Sequence, residues 1–241
     1  MSTKDAVLQY YQRSYGDSGF AAQRRFPNEE LCRFMGRNFF GLDMETRKCT
    51  RIVEVGSGSG ANLWMIAREG FDAVGIELSI AANELCRQML DSYGTSADLI
   101  TGSMTELPFD VGSIDAVVDV FSSYCLNASE AESFLGETAR VLKPGGRFFS
   151  YFPSKVSDSW QTYDPVTHID SDTLRGIQRE TSPYFGNAYA FRFLLPEEYR
   201  AQLQLAGLDL TYLETLSRTY RNGAERFEFV VIEATKPDLS G

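Results

Sequence analysis

Apolar positions along this chain recur two apart over short runs, then three to four apart over longer ones, and the two periods alternate through residues 51–152. Period two marks a strand and period 3.6 an amphipathic helix. RIVEV (51–55) predicts a short strand and residues 60–69 a helix. FDAVGIEL (71–78) predicts a second strand, followed by a helix over SIAANELCRQMLDSY (79–93) with Ser79 as its cap. ADLITGS (97–103) predicts a third strand and LPFDVGS (107–113) a loop. IDAVVDVF (114–121) is nearly all apolar, as required of a strand covered on both faces. A helix over ASEAESFLGETARVL (128–142), a Pro-Gly turn at KPGG (143–146) and a fifth strand over RFFSYF (147–152) complete the series. Strands and helices alternating at this length predict an α/β fold with a parallel doubly wound sheet.

The flanks read differently. Before the first strand, Asn28 caps a helix whose first turn is acidic and whose Leu31, Phe34, Met35 and Phe39 share one face, with Gly41 as its stop. Residues 1–50 thus form a helical N-terminal segment placed to pack over the mouth of the core. Residues 153–195 carry no clean strand–helix unit but many polar and aromatic side chains, the pattern of a functional insertion. A helix from Pro196 to Gly207 follows, and two strands (208–220 and 226–236) joined through RNGAE close the chain as an antiparallel pair.

Composition narrows the function. A chain of 241 residues fits one elaborated domain with a full core. The net charge of −10 argues against a nucleic-acid partner and against an anionic membrane surface, both of which need clustered Lys and Arg. No apolar run reaches the length of a membrane span, and the N-terminus lacks a basic-then-apolar signal pattern, so a cytoplasmic protein is expected. Cys32, Cys49, Cys86 and Cys125 form no CxxC pair and His168 is the single histidine, so no metal site is expected.

The chemistry concentrates at VEVGSGSGA (53–61). Gly56, Gly58 and Gly60 permit positive φ and close ligand approach where a helix begins and offers free N–H groups. The spacing also satisfies G-x-G-x-x-A, so a dinucleotide and another nucleotide-like cofactor both remain open. Glu77, at the carboxyl end of the second strand, suits a ribose diol in either case. Glu54, inside the first strand, suits a cationic or amino-bearing ligand and gives nothing to a pyrophosphate.

Taken together, VEVGSGSG, GIELS, GSMTELPFDVGSIDAVV and RVLKPGGRFF resemble the class I S-adenosylmethionine-dependent methyltransferases, strongly over residues 51–152 and more weakly over 196–236. The resemblance implies a Rossmann-like seven-stranded sheet, mostly parallel with an antiparallel last strand, in a single domain with a cap insertion at 153–195. It implies S-adenosylmethionine as cofactor. Glu54, Gly56, Gly58 and Gly60 would border its methionine part, Glu77 would bind the ribose hydroxyls, and Leu78 would pack on the adenine. Ser103 and Met104 take the adenine-edge position, where many relatives carry an acid. Phe121 and Ser122 would lie beside the sulfonium.

Methyl transfer from a sulfonium needs alignment of the acceptor, and a base only where the acceptor must lose a proton. His168, beside Asp170 in THID, is the candidate base. Candidate acceptor contacts are Tyr11, Tyr15 and Arg24 in the N-terminal segment, Tyr124 after the fourth strand, and Tyr163 and Tyr184 in the insertion, two segments able to close over a small-molecule acceptor from opposite sides. The expected reaction is methyl transfer to an oxygen or nitrogen. A non-catalytic cofactor-binding protein and an NAD-dependent oxidoreductase are the alternatives.

Overall fold

The structure, a computed structural model, describes residues 3–163 and 167–238. Residues 164–166 of the expected insertion lie outside the described residues. Strands β1 (Arg51–Val55), β2 (Asp72–Glu77), β3 (Asp98–Thr101), β4 (Ile114–Val120), β5 (Leu142–Pro153), β8 (Asp209–Tyr220) and β9 (Glu225–Thr235) form one sheet in the order β3-β2-β1-β4-β5-β9-β8. The first five pair in parallel, and β9 inserts antiparallel between β5 and β8. The expected seven-stranded architecture is therefore what forms. A separate two-stranded ribbon, β6 (Thr173–Leu174) with β7 (Phe191–Arg192), belongs to the insertion.

Eight α-helices surround the strands among the described residues: α1 (Thr3–Ser18), α2 (Glu29–Asn38), α3 (Met44–Lys48), α4 (Leu63–Arg68), α5 (Ile80–Ser92), α6 (Ala128–Val141), α7 (Asp158–Gln161) and α8 (Pro196–Leu205). Both faces of the sheet are covered, and two adjacent residues of β5 show why. Phe148 and Phe149 point to opposite faces, as successive strand residues must. Phe149 stacks on Phe34 of α2, while Phe148 meets Phe134 of α6 edge-on. Phe152, on the Phe148 face, meets Tyr199 of α8. Helix α2 is thus a layer of the core, with Leu31, Phe34 and Met35 fully buried, and α1 is the element that covers the mouth.

Local signals were obeyed with small displacements. Asn28 caps α2 through Glu30 N and Leu31 N, and Ser79 caps α5 through Ala82 N. Helix α2 ends at Asn38 rather than at Gly41, because Phe39 leaves helical geometry to bury its ring. KPGG does not turn the chain back. It forms a bulge inside β5, with pairing passing from Ile114–Leu142 to Ala116–Arg147, and Gly145 N donates to the carbonyl of Lys236 beyond β9.

Buried ion pairs tie the insertion to the core. Lys155 donates to Asp172 (2.8 Å) and to Glu198 of α8 (2.7 Å), and Arg192 of β7 donates to Asp172 (2.9 Å). Fully buried Glu225 of β9 accepts from Arg179, Thr181 and Ser159 at 2.5–2.7 Å.

Candidate functional site

The strand order reverses between β1 and β4, and a ligand crevice is expected outside the carboxyl ends of strands at such a point. A cavity of about 300 Å³ opens there. Its floor is the loop from β1 into α4. Gly56 has φ 62°, and a Cβ on it would lie 2.3 Å from Ser122 Cβ. Gly58 has φ 52°, and its Cβ would lie 2.8 Å from the Tyr15 hydroxyl. Gly60 is placed otherwise than expected. It does not line the cavity, and a Cβ there would meet Cys86 Sγ of α5 at 2.6 Å, so its bareness lets the loop before α4 approach α5.

Carboxylates stand at two points of the lining. The Glu77 oxygens accept from Gly58 N (3.0 Å) and Ser79 N (2.9 Å), which fixes the carboxylate plane at the cavity wall. Burial pushes its pKa up, against the pull of those N–H groups. Glu54 is 2% exposed; its Oε1 accepts from Asn62 Nδ2 at 2.7 Å and its Oε2 has no partner. Burial pushes the Glu54 carboxyl up to about 8, with Asn62 and Arg24 opposing. Arg24 and the Asn28 N–H both donate to Asn62 Oδ1, at 3.0 and 2.9 Å, so one side chain links the cavity acid to the N-terminal connector. Ser57 Oγ, also in the lining, is a second buried atom without a partner.

Phe121 and Ser122 follow β4 and complete the wall. Phe121 has φ 56°, an outlying conformation for a bulky residue. Asp119, fully buried, holds it there: its carboxylate accepts from Ser122 N (3.1 Å), Ser123 N (3.0 Å), Ser150 Oγ (2.9 Å) and the Ser123 hydroxyl. The Ser122 hydroxyl lies 2.6 Å from Asp119 Oδ1 and 2.7 Å from the Val55 carbonyl and shares its proton between them.

The remaining expected residues separate into two groups. Leu78, Met104, Tyr11, Tyr15 and Arg24 line the cavity. Ser103 lines a narrow annex that shares Val7, Leu78, Met104 and Cys125 with it. Tyr124, Tyr163, Tyr184 and His168 do not line either. Tyr184 stacks behind Phe121 at 4.9 Å. His168 packs on Trp160 (4.9 Å) and near Tyr163 (6.5 Å), on the insertion's aromatic core, and Trp160 in turn meets Phe193 (5.5 Å). That placement gives His168 no contact with the cavity. Asn62, Asp119 and Tyr189 were not among the expected site residues. Asn62 reads as an ordinary helix cap and Asp119 as an isolated polar residue in an apolar strand, so no sequence signal distinguishes them.

Tyr11, Tyr124 and Tyr189 bring three hydroxyls together, 2.9, 2.7 and 2.6 Å apart. Three protons serve three contacts, so the ring is closed on itself. Its members come from α1, from the turn after β4 and from the insertion, so the ring docks α1 over the cavity. Tyr189→Phe removes one hydroxyl and leaves the other two short of a partner. We expect backbone hydrogen exchange within α1 to quicken roughly fivefold, about one hydrogen bond's worth, with β4 unchanged. Unaltered exchange in α1 would show that the ring does not hold the helix down.

Comparison with known proteins follows the same outline. The family described as "Methyltransferase domain" matches residues 52–146. A demethylmenaquinone methyltransferase of Tropheryma whipplei is 37% identical over 97 residues, which cover 40% of this chain and 38% of that protein. The chain thus spans well under half the length of that relative. A phthiotriol/phenolphthiotriol dimycocerosates methyltransferase of Mycobacterium tuberculosis is 30% identical over 183 residues, 73% of this chain and 66% of the relative. Among solved structures, the 1,6-didemethyltoxoflavin-N1-methyltransferase of Burkholderia thailandensis, with bound 1,6-didemethyltoxoflavin and S-adenosylhomocysteine, superposes with a TM-score of 0.65 at 13% identity, covering 97% of this chain and 88% of that one. At that identity the likeness speaks for the fold alone.

Proposed function

The chain belongs to the class I S-adenosylmethionine-dependent methyltransferases, and from that premise we propose that it moves a methyl group from S-adenosylmethionine to an oxygen or nitrogen of a small-molecule acceptor by in-line displacement. The observation that carries the reading is the unpartnered Oε2 of buried Glu54 in a cavity whose other carboxylate, Glu77, is held by two backbone N–H groups. An ammonium satisfies the first and a ribose diol the second. Both groups belong to S-adenosylmethionine.

When bound, the cofactor supplies an electrophilic methyl on a sulfonium. The chain's own residues bind and align. Glu54 takes the ammonium and Arg24 the carboxylate of the methionine part. Gly56 and Gly58 let the backbone approach, Glu77 takes the ribose hydroxyls, and Leu78, Ser103 and Met104 border the adenine. Phe121 and Ser122, fixed by Asp119, shape the wall beside the sulfonium. Tyr11 and Tyr15 present rings from α1 at the acceptor side, where an aromatic face favours a cationic methyl group. His168 lines neither the cavity nor the annex, so no step is assigned to it.

Calorimetric titration with S-adenosylhomocysteine tests the reading, with NADH as control. Micromolar binding of the first alone is expected. NADH binding alone would overturn the reading in favour of the oxidoreductase. Binding of S-adenosylhomocysteine with no methyl transfer to any acceptor would favour a non-catalytic protein.

The pH dependence has a definite sign. An empty site keeps Glu54 neutral up to about pH 8, well above the ordinary glutamate value of 4.5, because burial disfavours the charge. Folding therefore loses stability from this group as pH rises from 4.5 towards 8, since only the unfolded chain ionises there. An arriving ammonium favours the carboxylate, so binding at pH 7 should release close to one proton. Titrations in buffers of different ionisation enthalpy read that proton directly. Glu54→Gln should abolish the release, and persistence of the release in that variant would count against the role of Glu54.

A further inference from the structure

The annex beyond Leu78 is a slot with apolar walls from Leu78, Met104, Cys125 and Leu126, and its polar lining includes Ser103 and Glu130. It shares Val7, Leu78, Met104 and Cys125 with the main cavity, whose lining also holds Glu77, so it adjoins the place where the base of an adenosyl group held at its ribose would lie. The Ser103 hydroxyl is largely spent: it pairs with Thr105 Oγ1 at 2.8 Å and accepts from Thr105 N at 3.3 Å. Glu130 is the third residue of α6 and forms a capping box with Asn127. Its Oε2 accepts from Asn127 N at 3.0 Å, and its half-buried carboxylate keeps Oε1 free of side-chain and backbone donors among the described residues. The cap therefore locks the carboxylate in place and leaves one acceptor over.

We propose that Glu130 reads the exocyclic amino group of the adenine, so that this chain supplies from the start of α6 the acid that its relatives carry after the third strand. The inference rests on the cofactor reading above. A purine amine offers two N–H donors, and a carboxylate oxygen fixed at the slot accepts one without reorganising. An oxygen in place of that amine meets lone pair against lone pair, which turns the contact into discrimination.

The test compares S-adenosylhomocysteine with S-inosylhomocysteine, which differ in this edge of the base. Wild-type protein should bind the adenosyl compound at least roughly tenfold more tightly, the worth of one charge-assisted hydrogen bond. In Glu130→Gln, the amide oxygen can keep the cap, since Gln serves at that position of a capping box. The amide nitrogen then faces the slot as a donor. The preference should vanish or invert, with binding of the inosyl compound undiminished. Glu132→Gln, an exposed change on the same helix outside both the cavity and the annex, should leave the wild-type preference within about twofold. A wild-type ratio retained in Glu130→Gln, or an equal loss of the ratio in Glu132→Gln, overturns the proposal. Absence of binding of either compound to the wild-type chain would overturn the cofactor reading itself, a different outcome from binding with the ratio unchanged.

Discussion

Glu77→Ala is expected to weaken S-adenosylhomocysteine binding by roughly a hundred- to a thousandfold. Two hydrogen bonds from a diol to a carboxylate are worth about 1.5–2 kcal/mol each, and every 1.4 kcal/mol is tenfold in affinity. The loss has a second source. Glu77 also holds Gly58 N and Ser79 N, so its removal frees the floor of the cavity to adopt other conformations. Glu77→Gln keeps one acceptor oxygen and should lose about tenfold. Calorimetry gives both numbers, and a melting curve shows that the variants are folded. Wild-type affinity in Glu77→Ala would remove the ribose assignment.

The largest effect on stability is expected at Asp119. Its carboxylate is completely buried and gathers donors from Ser122, Ser123 and Ser150. Asp119→Ala leaves those donors without an acceptor in a dry interior, and breaking such a buried set costs about 3–5 kcal/mol. For a chain of this size that lowers the melting temperature by roughly 10 °C. The same change releases Phe121 from its positive φ, so cofactor affinity should fall beyond what partial unfolding explains. Ser150→Ala separates the two effects. It removes one donor of the set from a residue outside the cavity lining, and it should lower stability by about 1 kcal/mol with affinity unchanged. A melting temperature for Asp119→Ala within 2 °C of wild type would show that water or a neighbouring group takes over the carboxylate's role.

The two variants act on different levels of the same wall. In the proposed reading Glu77 touches the cofactor, and two backbone N–H groups hold it still. Asp119 touches no ligand and works through the turn that follows it. Variants of the first kind should change affinity without moving the melting temperature far, and variants of the second kind should change both. The proton release expected through Glu54 would be a third, independent handle on the same cavity.

Most of the central sheet was legible in residues 51–152 because its signals are local. Apolar period, caps such as Asn28 and Ser79, and the glycines after β1 each act within a few residues of themselves. The same holds for Glu77, whose place at the end of a strand follows from the strand. Gly60 shows the limit: it belongs to the glycine run by spacing, yet its bareness serves Cys86, a residue 26 positions away on α5. His168 shows it again. A single histidine beside an acid reads as a base, but what it can do depends on whether the insertion turns it towards the cavity, and Trp160 holds it elsewhere.

Sequence alone set the strand and helix rhythm, the positive-φ corner at Gly56 and Gly58, and the acids inside β1 and at the end of β2. Those are properties of neighbouring residues, and short-range sterics and hydrogen bonding decide them. Only the tertiary structure decided that Asn62 joins Glu54 to Arg24, that Asp119 strains Phe121 into the wall, and that Tyr11, Tyr124 and Tyr189 close one ring of hydroxyls across 178 positions of chain. Such contacts form between segments whose separation along the chain carries no pattern, and they exist only once the sheet has fixed where each segment lies.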